Sequence, residues 1–242
     1  MKIKQLIEIE NVKGANRVLK NLLERTRTEN VGLGLFYGRA GLGKTRWATK
    51  TAQDNGYVYL RLESNITTKD FLKNLLSRLL HKTMPSYQVS GTQNEIYMQI
   101  LDLLQSDPNI TIFCDEIEYA FSNQRILASI RDLCDQSLAT FVLLGMERAK
   151  EDIQRLNQCY FSRCLSAFEF KQLTLPDTEK IIYELCEVTV DNEIIKFIHN
   201  RSNGTMRIIN KFIDSIEKIS RRLGKKDLKF PDIKDIISRV EV

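Results

Sequence analysis

Histidine is nearly absent from this 242-residue chain: His81 and His199 are the only two. The five cysteines, Cys114, Cys134, Cys159, Cys164 and Cys186, show no zinc-site spacing. A structural metal is therefore not expected, and the thiols are expected to be reduced and mostly buried. No apolar run approaches the ~20 residues that a membrane span requires. The start, Met1-Lys2-Ile3-Lys4-Gln5-Leu6, has no apolar signal-peptide core. These absences predict a soluble, cytoplasmic protein that is not bound to a membrane. Low-complexity tracts and solenoid-type repeats are also missing.

What is present is enough for a sizeable core, since 43% of residues are apolar. The length suits one large domain or a domain with a small appendage. Net charge is +5, and its placement matters more than its size. From Arg201 to Val242 there are eleven Lys/Arg against six Asp/Glu, so this end carries as much excess as the whole chain. A basic end of this kind can dock on nucleic acid.

Four short apolar runs read as buried strands: Leu33 to Tyr37, Tyr57 to Leu62, Ile110 to Cys114 and Phe141 to Leu144. Phe168 to Leu173 reads as a fifth. Helical patterns separate them. One is the stripe Val18, Leu19, Leu22, Leu23, and another is an apolar helix opened by Thr67-Thr68-Lys69-Asp70, which has capping-box form. Strands alternating with helices predict an α/β fold with a parallel sheet sandwiched by helices. After Leu175-Pro176-Asp177 the strand signals stop. A boundary near Gln172 is expected, giving a nucleotide-binding α/β domain over 1–171 and an all-helical lid over 172–242.

Gly38-Arg39-Ala40-Gly41-Leu42-Gly43-Lys44-Thr45 fits G-x-x-x-x-G-K-[ST] between an apolar strand and a helical stretch. Glycines let the backbone curl so that its N–H groups face phosphate oxygens. Lys44 is expected to reach the β- and γ-phosphates, and Thr45 to offer its hydroxyl to Mg²⁺. The run from Gly38 through Arg46 is therefore assigned to ATP. Ile110 to Cys114 leads into two carboxylates, Asp115 and Glu116. Asp115 is the expected magnesium residue, and Glu116 the expected general base for the attacking water.

Two arginines are candidates to stabilise charge at the γ-phosphate. Arg163 precedes the fifth strand and is expected to serve a neighbouring subunit, with Arg148 and Arg155 as rivals. Arg207 opens a helix of the lid and is expected to clamp its own nucleotide. The stretch from Asp191 to Ile219 also has the outline of a helix-turn-helix, but Arg207 favours a lid.

This order of motifs resembles the AAA+ ATPases. Within them it is similar to the transposition target-selector branch that includes the B protein of phage Mu-like elements. The residues that carry the likeness are Asn11-Val12, the phosphate loop, Ile110 to Glu116, Ile130 to Asp135, Thr140 to Arg148, and Gly204 to Arg207. The resemblance implies an adenine-side linker at Asn11 and Val12, ahead of the first helix. It further implies a ring or filament of copies on duplex DNA, recruitment and stimulation of a transposase, and release on hydrolysis, in a bacterial host and encoded by a phage or mobile element. Lys69, Lys73, Arg78 and Lys82 follow the second strand, which faces the pore in such assemblies, and are the expected contacts to the DNA backbone. Arg221, Arg222, Lys225, Lys226 and Lys229 are the second candidate cluster.

The chain departs from the family at Met146. Many relatives carry a polar residue after the fourth strand, and Met cannot orient a water strongly. That leaves Glu147 or Thr140 to compensate, or hydrolysis that is slow and stimulated by DNA or a partner. The alternative functions are a helicase-loader or initiator-like ATPase, a signalling NTPase, and a kinase. The Asp115-Glu116 pair argues against the kinase.

Overall fold

The computed structural model describes residues 6–26, 31–81, 84, 88–156 and 164–237. The chain divides into two compact units. One comprises Ala15–Gly38 with Lys44–Glu169, and the other Met1–Gly14, Arg39–Gly43 and Phe170–Val242.

The larger unit is built on strands β1 (Leu33–Gly38), β2 (Val58–Arg61), β3 (Thr111–Asp115), β4 (Thr140–Gly145) and β5 (Cys164–Phe170). Their order in the sheet is β2-β3-β4-β1-β5. The β1–β4, β3–β4 and β2–β3 pairs are parallel. Both β3 and β4 are buried along their whole length, the pattern of central strands covered on two faces.

One face of the sheet, with Leu35, Ile112, Cys114 and Leu143, packs on α3 (Thr68–Leu80), α4 (Gln93–Ser106) and α5 (Gln124–Ser137). The starts of two of these helices are chemically marked. Thr67 accepts from the Asp70 N–H at 3.1 Å, and Thr92 and Glu95 form a full capping box. The other face is aromatic. Trp47, on α2 (Lys44–Asn55), stacks on Phe36 of β1 with ring centroids 4.7 Å apart and meets Phe113 of β3 edge-on at 5.7 Å. Its indole N–H donates to Asn16 Oδ1 at 2.8 Å, on α1 (Glu10–Leu23). At the opposite end of the strands the buried Arg25 donates to Thr140 Oγ1 at 2.8 Å and to the carbonyls of Leu22 at 3.0 Å and Leu138 at 2.7 Å. Joined in this way to the ends of α1 and α5 and the start of β4, its guanidinium satisfies carbonyls that would otherwise be buried alone.

The second unit contains α7 (Leu175–Leu185), α8 (Asn192–Ser202), α9 (Met206–Leu223) and α10 (Phe230–Ile237), after the short α6 (Ala149–Leu156) of the first. Ile181, Ile194, Ile198, Ile209, Phe212 and Ile216 fill its core. Thr174 and Asp177 cap α7 reciprocally.

Three expectations are corrected. The C-terminal part is not all-helical, since Thr189–Val190 and Asp227–Leu228 pair as a parallel two-stranded sheet. Strands of two residues are too short to show periodicity. The fifth strand spans Cys164–Phe170 rather than Phe168 to Leu173. It lies at a sheet edge, where Ala167 and Glu169 are exposed and Phe170 is buried, so it alternates instead of running apolar. Asn11 and Val12 do not precede the first helix; they lie in its opening turn, because the Glu10 N–H is capped by Asp177 Oδ1 at 3.1 Å, a partner 167 residues away.

Trp47→Ala is expected to lower the unfolding free energy by about 3–5 kcal/mol. Urea denaturation followed by circular dichroism measures this, since the substitution removes the chain's single tryptophan.

Candidate nucleotide site

The phosphate loop runs from the end of β1 to the start of α2. Gly41 and Gly43 have φ of 80° and 97°, a region that only glycine enters without strain. No atom lies within 4 Å of where a Gly43 Cβ would stand, so bare backbone lines the loop there. Gly41 is needed for a second reason. A Cβ there would stand 2.9 Å from Thr205 Cγ2, and its carbonyl accepts the Arg207 N–H at 3.1 Å. Arg207 is thus tied to the loop through its backbone, at the first turn of α9.

Lys44 is the first residue of α2 and is 8% exposed. Its Nζ donates to the Gly38 carbonyl at 2.6 Å, which holds the side chain along the loop. Thr45 is exposed and Arg46 half-buried. The amides of this helix start are the donors that bind anions at helix N-termini. Arg39 and Ala40 are exposed at the tip, while Leu42 is buried.

Asp115 ends β3 and is 2% exposed. Its Oδ2 accepts the Tyr59 hydroxyl at 2.7 Å and its Oδ1 the Glu116 N–H at 2.9 Å. Burial, then this bond to Asp115, holds the Tyr59 phenol protonated far above its ordinary range. Tyr59 is therefore a fixed donor to a fixed carboxylate. Glu116 turns the chain with φ 59° and ψ 45°. Its Oε1 pairs with Arg61 Nη2 at 3.1 Å. The register explains this pair: Arg61 stands opposite Asp115 across the β2–β3 ladder.

The residues present fit a magnesium–triphosphate complex. Thr45 and Asp115 are hard oxygen donors, as magnesium prefers. Among the described residues no group of three or more His, Cys, Asp or Glu could form a protein-only cage. Magnesium bound through one or two side chains, water and phosphate needs no such cage.

Other expected residues fall as follows. Asn11 and Val12 are buried, and the Asn11 side chain bonds both backbone groups of Lys171, at 2.7 Å and 3.0 Å. Arg163 and Lys82 lie outside the described residues. Arg148 is exposed, and Arg155 pairs with Asp152 at 3.0 Å. Lys69, Lys73 and Arg78 all lie on α3 but do not form one row. Lys69 lines a cavity of about 550 Å³ with Arg125, while Arg78 lines another of about 450 Å³ with Tyr59 and Arg61. Arg221, Arg222, Lys225, Lys226 and Lys229 are exposed.

Cys114, Cys134 and Cys186 are buried thiols, and burial pushes the Cys114 thiol up to about 12, which leaves it unreactive. Three polar residues of the site escape motif reading: Tyr59, Arg61 and Glu118. The first two become visible only once β2 is in register with β3. Glu118 lies in a 3₁₀ turn (Ile117–Ala120), and burial raises its carboxyl above the usual range, with the nearby Lys44 opposing.

Residues 26–152, more than half of the sequence, match the family described as AAA domain, and the chain belongs to that family. No curated protein matches it in sequence. Its fold is that of P-loop AAA+ ATPases. It is similar to the Aeropyrum pernix ORC1 protein, solved in complex with DNA, with a TM-score of 0.69 at 17% identity over 99% of this chain and 67% of that one. Cdc6p from Pyrobaculum aerophilum gives 0.67 at 14% identity, over 97% and 68% of the two chains. Thermotoga maritima RuvB gives 0.63 at 17% identity, over 98% and 73%. At these identities the likeness is one of fold.

Lys44→Ala is expected to weaken binding of a fluorescent ATP analogue by at least about tenfold, the loss of one charge-assisted contact. Titration of the analogue with magnesium present measures it.

Proposed function

We propose that the chain is an ATP-hydrolysing, DNA-associated AAA+ protein of the initiator-like kind. The observation that carries hydrolysis is the end of β3, where a buried Asp115 held by Tyr59 is followed by Glu116, itself paired with Arg61. In this reading Lys44 and the loop amides hold the phosphates. Thr45 and Asp115 hold magnesium, which neutralises phosphate charge when bound. Glu116 takes the proton of the attacking water. Arg207, tied through its backbone to Gly41 of the phosphate loop, is the proposed arginine for the γ-phosphate. Arg163 is retained as the proposed contribution to a neighbouring copy's site.

DNA is the proposed partner on two grounds. The ORC1 protein of similar fold was solved with DNA. The chain carries +5, with exposed Lys69 and Arg78 after the second strand and an exposed basic cluster near its end. These contacts are to the phosphate backbone, with self-association on the duplex. The initiator-like alternative stands ahead of the transposition reading, because the similar folds include ORC1 and Cdc6p. No helix among the described residues is long and apolar enough to cross a membrane.

Glu116→Gln is expected to retain ATP binding while turnover falls by about 10²-fold or more, the size of a lost general base. Phosphate release and analogue binding, measured side by side, separate the two. Normal hydrolysis by this variant would show that Glu116 is not the base. Affinity for duplex DNA should fall steeply between about 50 and 200 mM salt, as counterion release requires. A flat response in fluorescence anisotropy removes DNA from the account.

A further inference from the structure

The end of β4 poses a problem for any hydrolytic site. Strands β1 and β4 are neighbours, and β1 delivers the phosphate loop. On its other side β4 pairs with β3, which delivers Asp115 and Glu116. A polar side chain at the end of β4 would stand between the two. The chain has Gly145 and then Met146, which is 39% exposed and whose thioether is only a weak acceptor that orients a water poorly. Thr140 does not compensate, because it starts the strand, about 17 Å from Gly145 at strand spacing, and its hydroxyl is bound by Arg25. Glu147 is exposed.

Glu118 fills the place instead. The left-handed turn at Glu116 starts a 3₁₀ turn that returns the chain over β4. The Glu118 carboxyl lies close enough to Glu116 and Lys44 to feel the charge of both. Its Oε2 is buried and has no hydrogen-bond partner among the described residues. A Gly145 Cβ would stand 2.6 Å from Ala149 Cβ, 2.9 Å from Ile117 Cγ2 and 3.3 Å from that oxygen. Glycine thus makes room for Ala149 and Ile117 above all, and the Glu118 carboxyl lies directly beside it at the end of β4. Leaving a buried carboxyl oxygen unpaired costs about 1–3 kcal/mol, so the position calls for a partner.

We propose that Glu118 is the positioning residue for the attacking water, taking the place of a polar side chain on β4. The inference rests on the hydrolysis proposed above. One hydrogen of the water is donated to Glu118 and stays on the oxygen, and the other passes to Glu116. The oxygen bonds to the γ-phosphorus as the bond to the β–γ bridging oxygen breaks. Glu118 orients the water and takes no proton.

The test measures ATP turnover and analogue affinity for wild type, Glu118→Ala, Glu118→Gln and the double variant Glu118→Ala/Met146→Asn. Glu118→Ala should lower kcat by about tenfold to a hundredfold, with analogue affinity unchanged. Glu118→Gln should keep most of the turnover, because its amide oxygen still accepts. The double variant should regain turnover, because the Met146→Asn change restores a polar group at the end of β4. A purely structural Glu118 would not be rescued from Met146. Wild-type turnover in Glu118→Ala overturns the inference alone. So does a loss that tracks a fall in Tm and that neither Glu118→Gln nor the double variant repairs. A wild type that does not hydrolyse ATP overturns the hydrolysis reading itself, and this inference with it.

Discussion

Three chain segments must end or begin at defined points for the site to exist: β1 ends at Gly38, β3 ends at Asp115, and α2 begins at Lys44. One aromatic contact ties all three together. Trp47 lies one turn into α2, stacked on Phe36 of β1 and edge-on to Phe113 of β3. Tyr57, just before β2, stacks on Phe113 at 6.0 Å and extends the cluster toward the strand that carries Tyr59 and Arg61. Indole and phenyl rings have few rotamers and large buried faces, so such a cluster fixes helix rotation as well as position. The hydrogen bond from the indole N–H to Asn16 anchors it to α1. A shift of Trp47 would move Lys44 relative to Asp115, and no local feature of the loop could restore it.

The charged groups of the site are arranged as exchangeable pairs. Lys44 bonds the Gly38 carbonyl, Asp115 takes the Tyr59 hydroxyl, and Glu116 takes Arg61. A polyphosphate that engages Lys44 exchanges one hydrogen bond for another and does not find a bare buried ammonium, which the protein could not hold. The pairs differ in permanence. Tyr59 meets an Asp115 that is 2% exposed, while the Arg61 side chain is 62% exposed and its ion pair is correspondingly weak. The carboxylate proposed for the metal is held firmly and the proposed base loosely.

Much of this was legible in the sequence. The phosphate loop was, because its glycines, lysine and threonine are contiguous and each is required by chemistry. Four strands were also legible: the central β1, β3 and β4, covered on both faces, read as apolar runs, and the edge strand β2 was short and mostly apolar as well. Legibility failed where a partner is distant along the chain. Glu10 begins α1 through Asp177, and Arg61 meets Glu116 through strand register, and neither relation leaves a local pattern. Glu118 was only a third acid after a pair until the turn at Glu116 placed it over Gly145. The basic residues of α3 were expected to follow the DNA backbone together, yet the helix separates Lys69 from Arg78 into different cavities.

The left-handed backbone at Glu116 sets the interests of stability and chemistry against each other. Its φ of 59° costs a residue with a Cβ about 1–2 kcal/mol relative to glycine. Glycine would relax that turn and discard the carboxylate in the same step. With Glu116 as the proposed base, variants enriched for heat resistance alone would drift toward loss of turnover at this one codon.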